Sequence, residues 1–426
     1  MTQRCVLSNG VKIEFENQGI IIRPYEISTR SERHKFVYAR AKISREAADL
    51  IQEKDAFYNP VFIKMGDVAH DRYYVPDDGI IYGDQQAWVE FVDPLKILEN
   101  ETIEGSYHSV QLGDIVSDIL EARNDPNGLI TGVEIVDSDA ASQYSETMRG
   151  TLGRYGVPDL LARGWAALSK IGAYFQRVEI EEGGFLFEDD TSLYDALSQV
   201  EDEYGVISWV DLDGVLSIGF PELKSTNAIG IYGDPSIDDV NISGYNVSRL
   251  ENSLSSLEGR STPFSYLNGK VHPHTTAQDA TYFIAKAEIP QLENNNRSLN
   301  NPVRVNNQEE LESIVQRKFI DMFMNHNSGN IEFNGLASNN QDSLARLTVG
   351  DLIGVEPEIK RVCNRGIDGG AFVATQVQHK VNARVGWQIT VSVSRLPPDD
   401  LRIISRVYDP STQSLYKDLD DFEENQ

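Results

Sequence analysis

The stretch from Trp387 to Ser394 has one backbone conformation open to it. Trp387, Ile389, Val391 and Val393 alternate with Gln388, Thr390, Ser392 and Ser394. In an extended chain successive side chains point to opposite faces, so this run predicts a strand with one dry and one wet face. The preceding run behaves alike, with Val373, Val377 and Val381 set against Gln376, Gln378 and Lys380. A slip of one residue would bury an amide and three hydroxyls, at roughly 1–3 kcal/mol for each group left without a partner. Upstream lies a helical pattern. Asn307 and Glu310 form its cap, and Leu311, Ile314, Val315, Phe319, Met322 and Phe323 line one side. That side is expected to cover the sheet of the hairpin or a neighbouring one. Two further strands are expected between helix and hairpin, one in Asn330–Gly335 and one after Gly350-Asp351.

The first hundred residues read as β structure with one small helix. Asn9-Gly10 between apolar arms signals a tight hairpin. Strands are expected at Lys35–Ile43, Val61–Met65, Arg72–Val75 and Gln86–Val92, with a helix over Arg45–Lys54 capped by Ser44. The middle is mixed. Ile115, Val116, Ile119 and Leu120 mark a helix that Asn124–Gly128 stops. Asp137–Gly156 reads as a loop, followed after Pro158 by a helix carrying Leu161, Trp165 and Leu168 and ending at Gly172. Ser192 and Asp195 form a capping box ahead of Leu193, Ala196, Leu197, Val200 and Tyr204. A hairpin then turns at Asp213-Gly214. β structure returns from Ser236, and the Asn-rich Gln291–Gln308 reads as a loop or poorly ordered insert. The residues beyond Pro398 are dense in acids and read as a tail, disordered or draped over a neighbour. The fold class is therefore α+β, mainly β, in segments 1–104, 105–235, 236–398 and 399–426.

Charge narrows the function. The 426 residues hold 66 Asp and Glu against 38 Lys and Arg, a net charge of −28, spread along the whole chain. Such a surface repels itself in dilute salt and is relieved in molar salt, where the Debye length is only ~3 Å. This points to a salty cytoplasm, that of a halophilic archaeal host, over an ordinary acidic protein. Without a basic stripe to release counterions, direct nucleic-acid binding through phosphates is not expected. No apolar run reaches the ~20 residues of a membrane-spanning helix, and the N-terminus has no apolar core of a signal peptide. Cys5 and Cys363 make neither a disulfide framework nor a zinc cluster.

Catalytic signatures do not stand out. The zinc-protease, nucleophile-elbow, dinucleotide and phosphate-loop motifs are all missing. His272 and His274, with Asp279 near, form the one close His pair and a weak candidate for a metal. Two His on a Pro-broken loop are more often ordinary polar residues. Asp211 and Asp213 flank Gly214 but lack the later Glu of a calcium loop, so a hairpin turn is the expected reading. His379 falls on the apolar face of its strand, where a satisfied core or interface residue is commoner than a catalyst. Trp387 reads as a core or interface anchor. No cofactor is expected.

The order of these elements carries a resemblance. Asn307–Phe319, Asn330–Gly335, Leu347–Pro357 and Gly370–Pro397 together resemble the C-terminal domain of the baseplate hub proteins of tailed viruses. That family includes the late control proteins of contractile phages and the tail-tip hubs of long-tailed phages. The unit from Leu193 to Pro221, a capped helix then a hairpin with an Asp-Gly turn, is similar to their middle region. The family's usual His before the last hairpin matches His379. The resemblance implies two tube-type β-barrel domains per chain, an α+β domain between them, and a ring-shaped homotrimer. Such a ring adapts a sixfold tail tube to a threefold tip and lines a channel for the tape-measure protein and DNA. Gly350, Asp351, His379 and Trp387 would be structural or interface positions. The implied partners are the tail tube or distal tail protein, the tape-measure protein and tip or fibre proteins, within a virion assembled in the host cytoplasm. Alternatives are a hub of a cellular contractile injection system and a salt-adapted enzyme or carbohydrate-binding protein.

Overall fold

The alternation read from the sequence becomes part of the largest sheet among the described residues. The computed structural model describes residues 10–32, 35–66, 68–103, 105–106, 112–123, 125–135, 186–188, 190–204, 207–219, 228–231, 240, 242–247, 253–267, 270–273, 281–292, 295–303, 305, 307–338, 341–355, 370–397 and 401–424. Expectations for Cys5, Val6–Asn9, Asp137–Gly156, Pro158–Gly172, Ser236, His274, Asp279 and Cys363 lie outside the described residues. The protein is α+β and mainly β, with several antiparallel sheets. It forms two compact units, Met1–Asn246 with Gly329–Val393, and Val247–Ser328 with Ser394–Gln426.

The first unit holds a ten-stranded sheet. Its path runs Ile242–Val247, Ser328–Asn334, Gly386–Arg395, Gly370–Asn382, Glu26–Glu32, Lys35–Ser44, Gln86–Val92 and Ile80–Tyr82. Leu352–Val355 pairs beside the start of Gly370–Asn382, and Ala228–Ile231 runs parallel to it. Trp387, Ile389, Val391 and Val393 are all fully buried, as the alternation requires. Phe372, Val373 and Ala374 are buried in succession, so this stretch is covered on both faces. The strand Glu26–Glu32 was not legible as one: its inward positions after Ile27 are Thr29 and Ser31, both buried. It pairs with the distant end of the chain, Ser31 opposite Val377 and Glu26 opposite Asn382.

A smaller sheet, Ile20–Ile22, Val11–Phe15, Val61–Met65 and Val68–Tyr73, shares a core with the helix Arg45–Glu53. Ser44 Oγ caps that helix by accepting from Ala47 N at 3.2 Å. A second core lies between the helices Leu112–Ala122 and Leu193–Tyr204 and the sheet of Gly132–Ile135, Val215–Gly219 and Ile207–Val210. The Ser192–Asp195 box forms, with Asp195 N to Ser192 Oγ at 3.0 Å and Ser192 Oγ to Asp195 Oδ2 at 2.8 Å. Leu193, Ala196, Leu197 and Val200 are buried to the last atom.

The second unit is a five-stranded sheet, Asn296–Ser298, Ser256–Arg260, Tyr282–Glu288, Arg402–Asp409 and Ser414–Tyr416. The helix Gln308–His326 lies on it, capped by Asn307 Oδ1 accepting from Glu310 N at 2.8 Å. Its buried face is Leu311, Val315, Phe319, Ile320, Phe323 and Met324, while Ile314 and Met322 are only half-buried. Gly259 lets the helix approach, since a Cβ there would sit 2.4 Å from Val315 Cγ2.

The helix covers this second sheet and not the hairpin's. Residues of the segment 236–398 lie in both units. Two expectations change here. The expected tail contains the strand Arg402–Asp409, a further strand Ser414–Tyr416 and the helix Leu419–Glu424 with Phe422 buried. Ladder bonds to Tyr282–Glu288 order it despite its acids. The Asn-rich stretch contributes Asn296–Ser298, held by Ser256 Oγ donating to Asn296 Oδ1 at 2.6 Å.

Candidate functional site

The four positions singled out in the C-terminal region meet in one buried arrangement. Thr348–Asp351 forms a tight corner: Thr348 N donates to Asp351 Oδ2 at 2.9 Å, and Asp351 N to Thr348 O at 3.3 Å. Gly350 supplies a φ of +93°, which other residues rarely adopt. The corner is sewn to the strand Gly370–Asn382, with Gly350 N to Ala374 O and Ala374 N to Asp351 O both at 2.9 Å. Asp351 is fully buried.

His379 lies five residues farther along that strand and exposes 3% of its surface. Its Nε2 is 3.1 Å from Leu347 O, at the mouth of the same corner. Its Nδ1 is 3.4 Å from Trp387 Nε1, on the facing arm of the hairpin. Indole N–H can only donate and a carbonyl can only accept. The pair of contacts therefore assigns the neutral imidazole with its proton on Nε2. The two rings stack with centroids 6.2 Å apart and 22° between planes. On its other side Trp387 meets Gly335, where a Cβ would fall 2.3 Å from the indole, and Gly335 N donates to Trp387 O at 2.9 Å. Sequence reasoning missed Gly335, although the Asn334-Gly335 pair was a visible turn signal. Three segments distant in sequence are thus fixed by one buried chain of donors and acceptors. Both imidazole nitrogens are engaged within the fold, which suits holding backbone in place and leaves no nitrogen aimed at a substrate.

A second buried polar centre is Arg72, which no motif announced. Its guanidinium donates to Leu212 O at 3.0 Å and Gly128 O at 3.1 Å, tying the small N-terminal sheet to two turns of the middle region. Burial lowers its pKa, while Glu16, Asp125, Asp211 and Asp213 act in the opposite direction. Asp211 is a turn residue, with Oδ1 accepting from Val215 N at 2.8 Å and Gly214 at φ +87°. His272 sits opposite Ser265 in a short hairpin, and its candidate partner His274 lies outside the described residues. Among the described residues no group of three or more His, Cys, Asp or Glu is placed to hold a metal. No described helix is long and apolar enough to cross a membrane.

No family model matches the chain, and no curated protein matches its sequence significantly. Solved structures do share its fold. A tail protein from Neisseria meningitidis is 10% identical, with a TM-score of 0.54 over 90% of this chain and 96% of that one. The 43 kDa tail protein of prophage MuSo2 from Shewanella oneidensis is 13% identical, with a TM-score of 0.53 over 92% of this chain and 99% of that one. At these identities what is held in common is the fold, and it extends over nearly the full length of all three chains.

Proposed function

We propose that this chain is a structural hub of a viral tail, at the baseplate or tail tip. The observation that carries the reading is the near full-length likeness to two tail proteins, at TM-scores of 0.54 and 0.53. It agrees with the independent resemblance of Leu193–Pro221 and Asn307–Pro397 to hub proteins. In this reading three copies close into a ring whose tube-type β domains continue the symmetry of the tail tube. The buried corner at Gly350-Asp351 and the His379–Trp387 pair keep the Gly370–Arg395 hairpin rigid enough to serve as a ring wall. The partners are the tail tube or distal tail protein, the tape-measure protein and the tip or fibre proteins. DNA passes without specific contacts, since a wall drawn from a −28 chain repels phosphate. The role is mechanical, not enzymatic, and is performed in the virion. Light scattering coupled to size exclusion, with images of the same sample, tests it. A ring of three chains is expected; a single-chain mass at assembly concentrations in high salt overturns it.

A further inference from the structure

A cleft of about 560 Å³ opens where the tip of the Gly370–Arg395 hairpin meets the ends of neighbouring strands in the ten-stranded sheet. Lys42, Lys380 and Arg384 line it, with Tyr25 and Val385 and a single carboxylate, Glu26. Three cations around one acid is the reverse of the chain as a whole, where acids outnumber bases 66 to 38. Glu26 is also engaged, since its Oε1 accepts from Asn382 Nδ2 at 3.3 Å. The frame is preformed: Asn382 Oδ1 accepts from Arg384 N at 2.9 Å and Val385 N at 2.8 Å, which fixes the hairpin tip. Lys380 and Glu26 sit on strands locked in register, Lys380 opposite Ser28 and Glu26 opposite Lys42. Beside the cations Tyr25 is 57% exposed and Val385 44% exposed, giving apolar surface next to charge. Aromatic and apolar anchors next to complementary charge are what a protein contact uses, the charge selecting the partner and the apolar groups holding it.

We infer that this cleft is the receiving half of a contact between copies, and that it takes a carboxylate-bearing surface of a second copy of this chain. The inference rests on the ring reading above. A chain with this excess of acids supplies the complementary charge itself. A cleft on one copy facing a different, acidic surface on the next is a heterologous contact, the kind that closes a ring. A nucleic acid fits less well, because the cleft holds three cations and no extended basic stripe to follow a phosphate backbone.

The test is the double reversal Lys380→Glu with Arg384→Glu, at two exposed positions of the hairpin tip. The control is Lys54→Glu with Lys417→Glu, also exposed, which changes net charge equally. Melting temperature checks that each variant folds. Sedimentation of the full chain at ~0.15 M salt, where the Debye length is ~8 Å, reads association. The cleft variant is expected to dissociate at concentrations at least tenfold above wild type, with the control unchanged. If the cleft variant associates like wild type, or the control weakens equally, the cleft assignment is overturned while the ring stands. If wild type is monomeric both at ~0.15 M and at ~2 M salt, ring and cleft fall together. A monomeric wild type that binds duplex DNA, with binding lost in the cleft variant, would overturn the contact between copies in favour of a nucleic-acid site.

Discussion

Gly335 is where the fold leaves least room. Any side chain there must displace the indole of Trp387, and the ring cannot swing away because its Nε1 and backbone oxygen are both engaged. Gly335→Ala is therefore expected to cost about 1–3 kcal/mol, as overpacking of a filled core does. A melting temperature within a degree of wild type would show that the corner yields. Asp409 makes a pH-dependent prediction. Burial opposes its ionisation, but hydrogen bonds from the hydroxyl and amide of Ser411 and from Thr412 prevail and hold its pKa below the usual carboxylate value. A pKa lower in the folded than the unfolded state gives stability that is full above the unfolded value, ~3.9, and fades as pH falls through the folded one. Asp409→Asn should thus lose about 1–2 kcal/mol at pH 7, the scale of hydrogen bonds to a charged acceptor. The gap from wild type should shrink in strong acid. Denaturant titrations at pH 7 and near pH 2.5 check this, and a constant gap rules out the carboxylate as its source.

At the scale of elements, the hairpin strand Gly386–Arg395 offers a paired test of face. Val391 is fully buried, whereas Ser392 is half-buried, with Oγ donating to Asn330 Oδ1 at 2.9 Å on an exposed site. Val391→Asp places a carboxylate in the core and should abolish folding, and Ser392→Asp should cost under about 1 kcal/mol. Soluble yield with circular dichroism separates them, and equal behaviour would mean that the strand's faces are misassigned. The same strand explains what was legible. Where burial falls on apolar side chains at regular spacing, as in Gly386–Arg395 or Leu193–Tyr204, pattern and cap signals locate the element. Glu26–Glu32 escapes because Thr29 and Ser31 fill its inward positions, and Arg402–Asp409 because its acid-rich flanks imitate a tail. The helix Gln308–His326 was legible as a helix, but its partner was not. An apolar stripe names no sheet, and the one it meets is built from Ser256–Arg260, Tyr282–Glu288 and Arg402–Asp409. At the buried pair, His379 and Trp387 stood out as residue types, while Leu347 O and Gly335 N contribute backbone atoms that no composition reveals.

Over the whole molecule, charge sets the working conditions. With a net charge of −28, the folded state should gain from salt as self-repulsion is screened. We propose that the melting temperature rises between ~0.1 M and ~2 M potassium chloride, and calorimetry at the two concentrations decides it; a flat or falling value removes the case for a salt-adapted protein. The path of the chain has a different consequence. Glu26–Glu32 is made long before Gly370–Asn382, the strand it pairs with. The five-stranded sheet likewise waits for Arg402–Asp409. Pairings so remote in sequence are slow, because the loop must close before any contact rewards it. During translation the early strand therefore stands with an open edge, as an invitation to chaperones or to aggregation. The sheet is thus left open on that side until residues 370–382 have been translated.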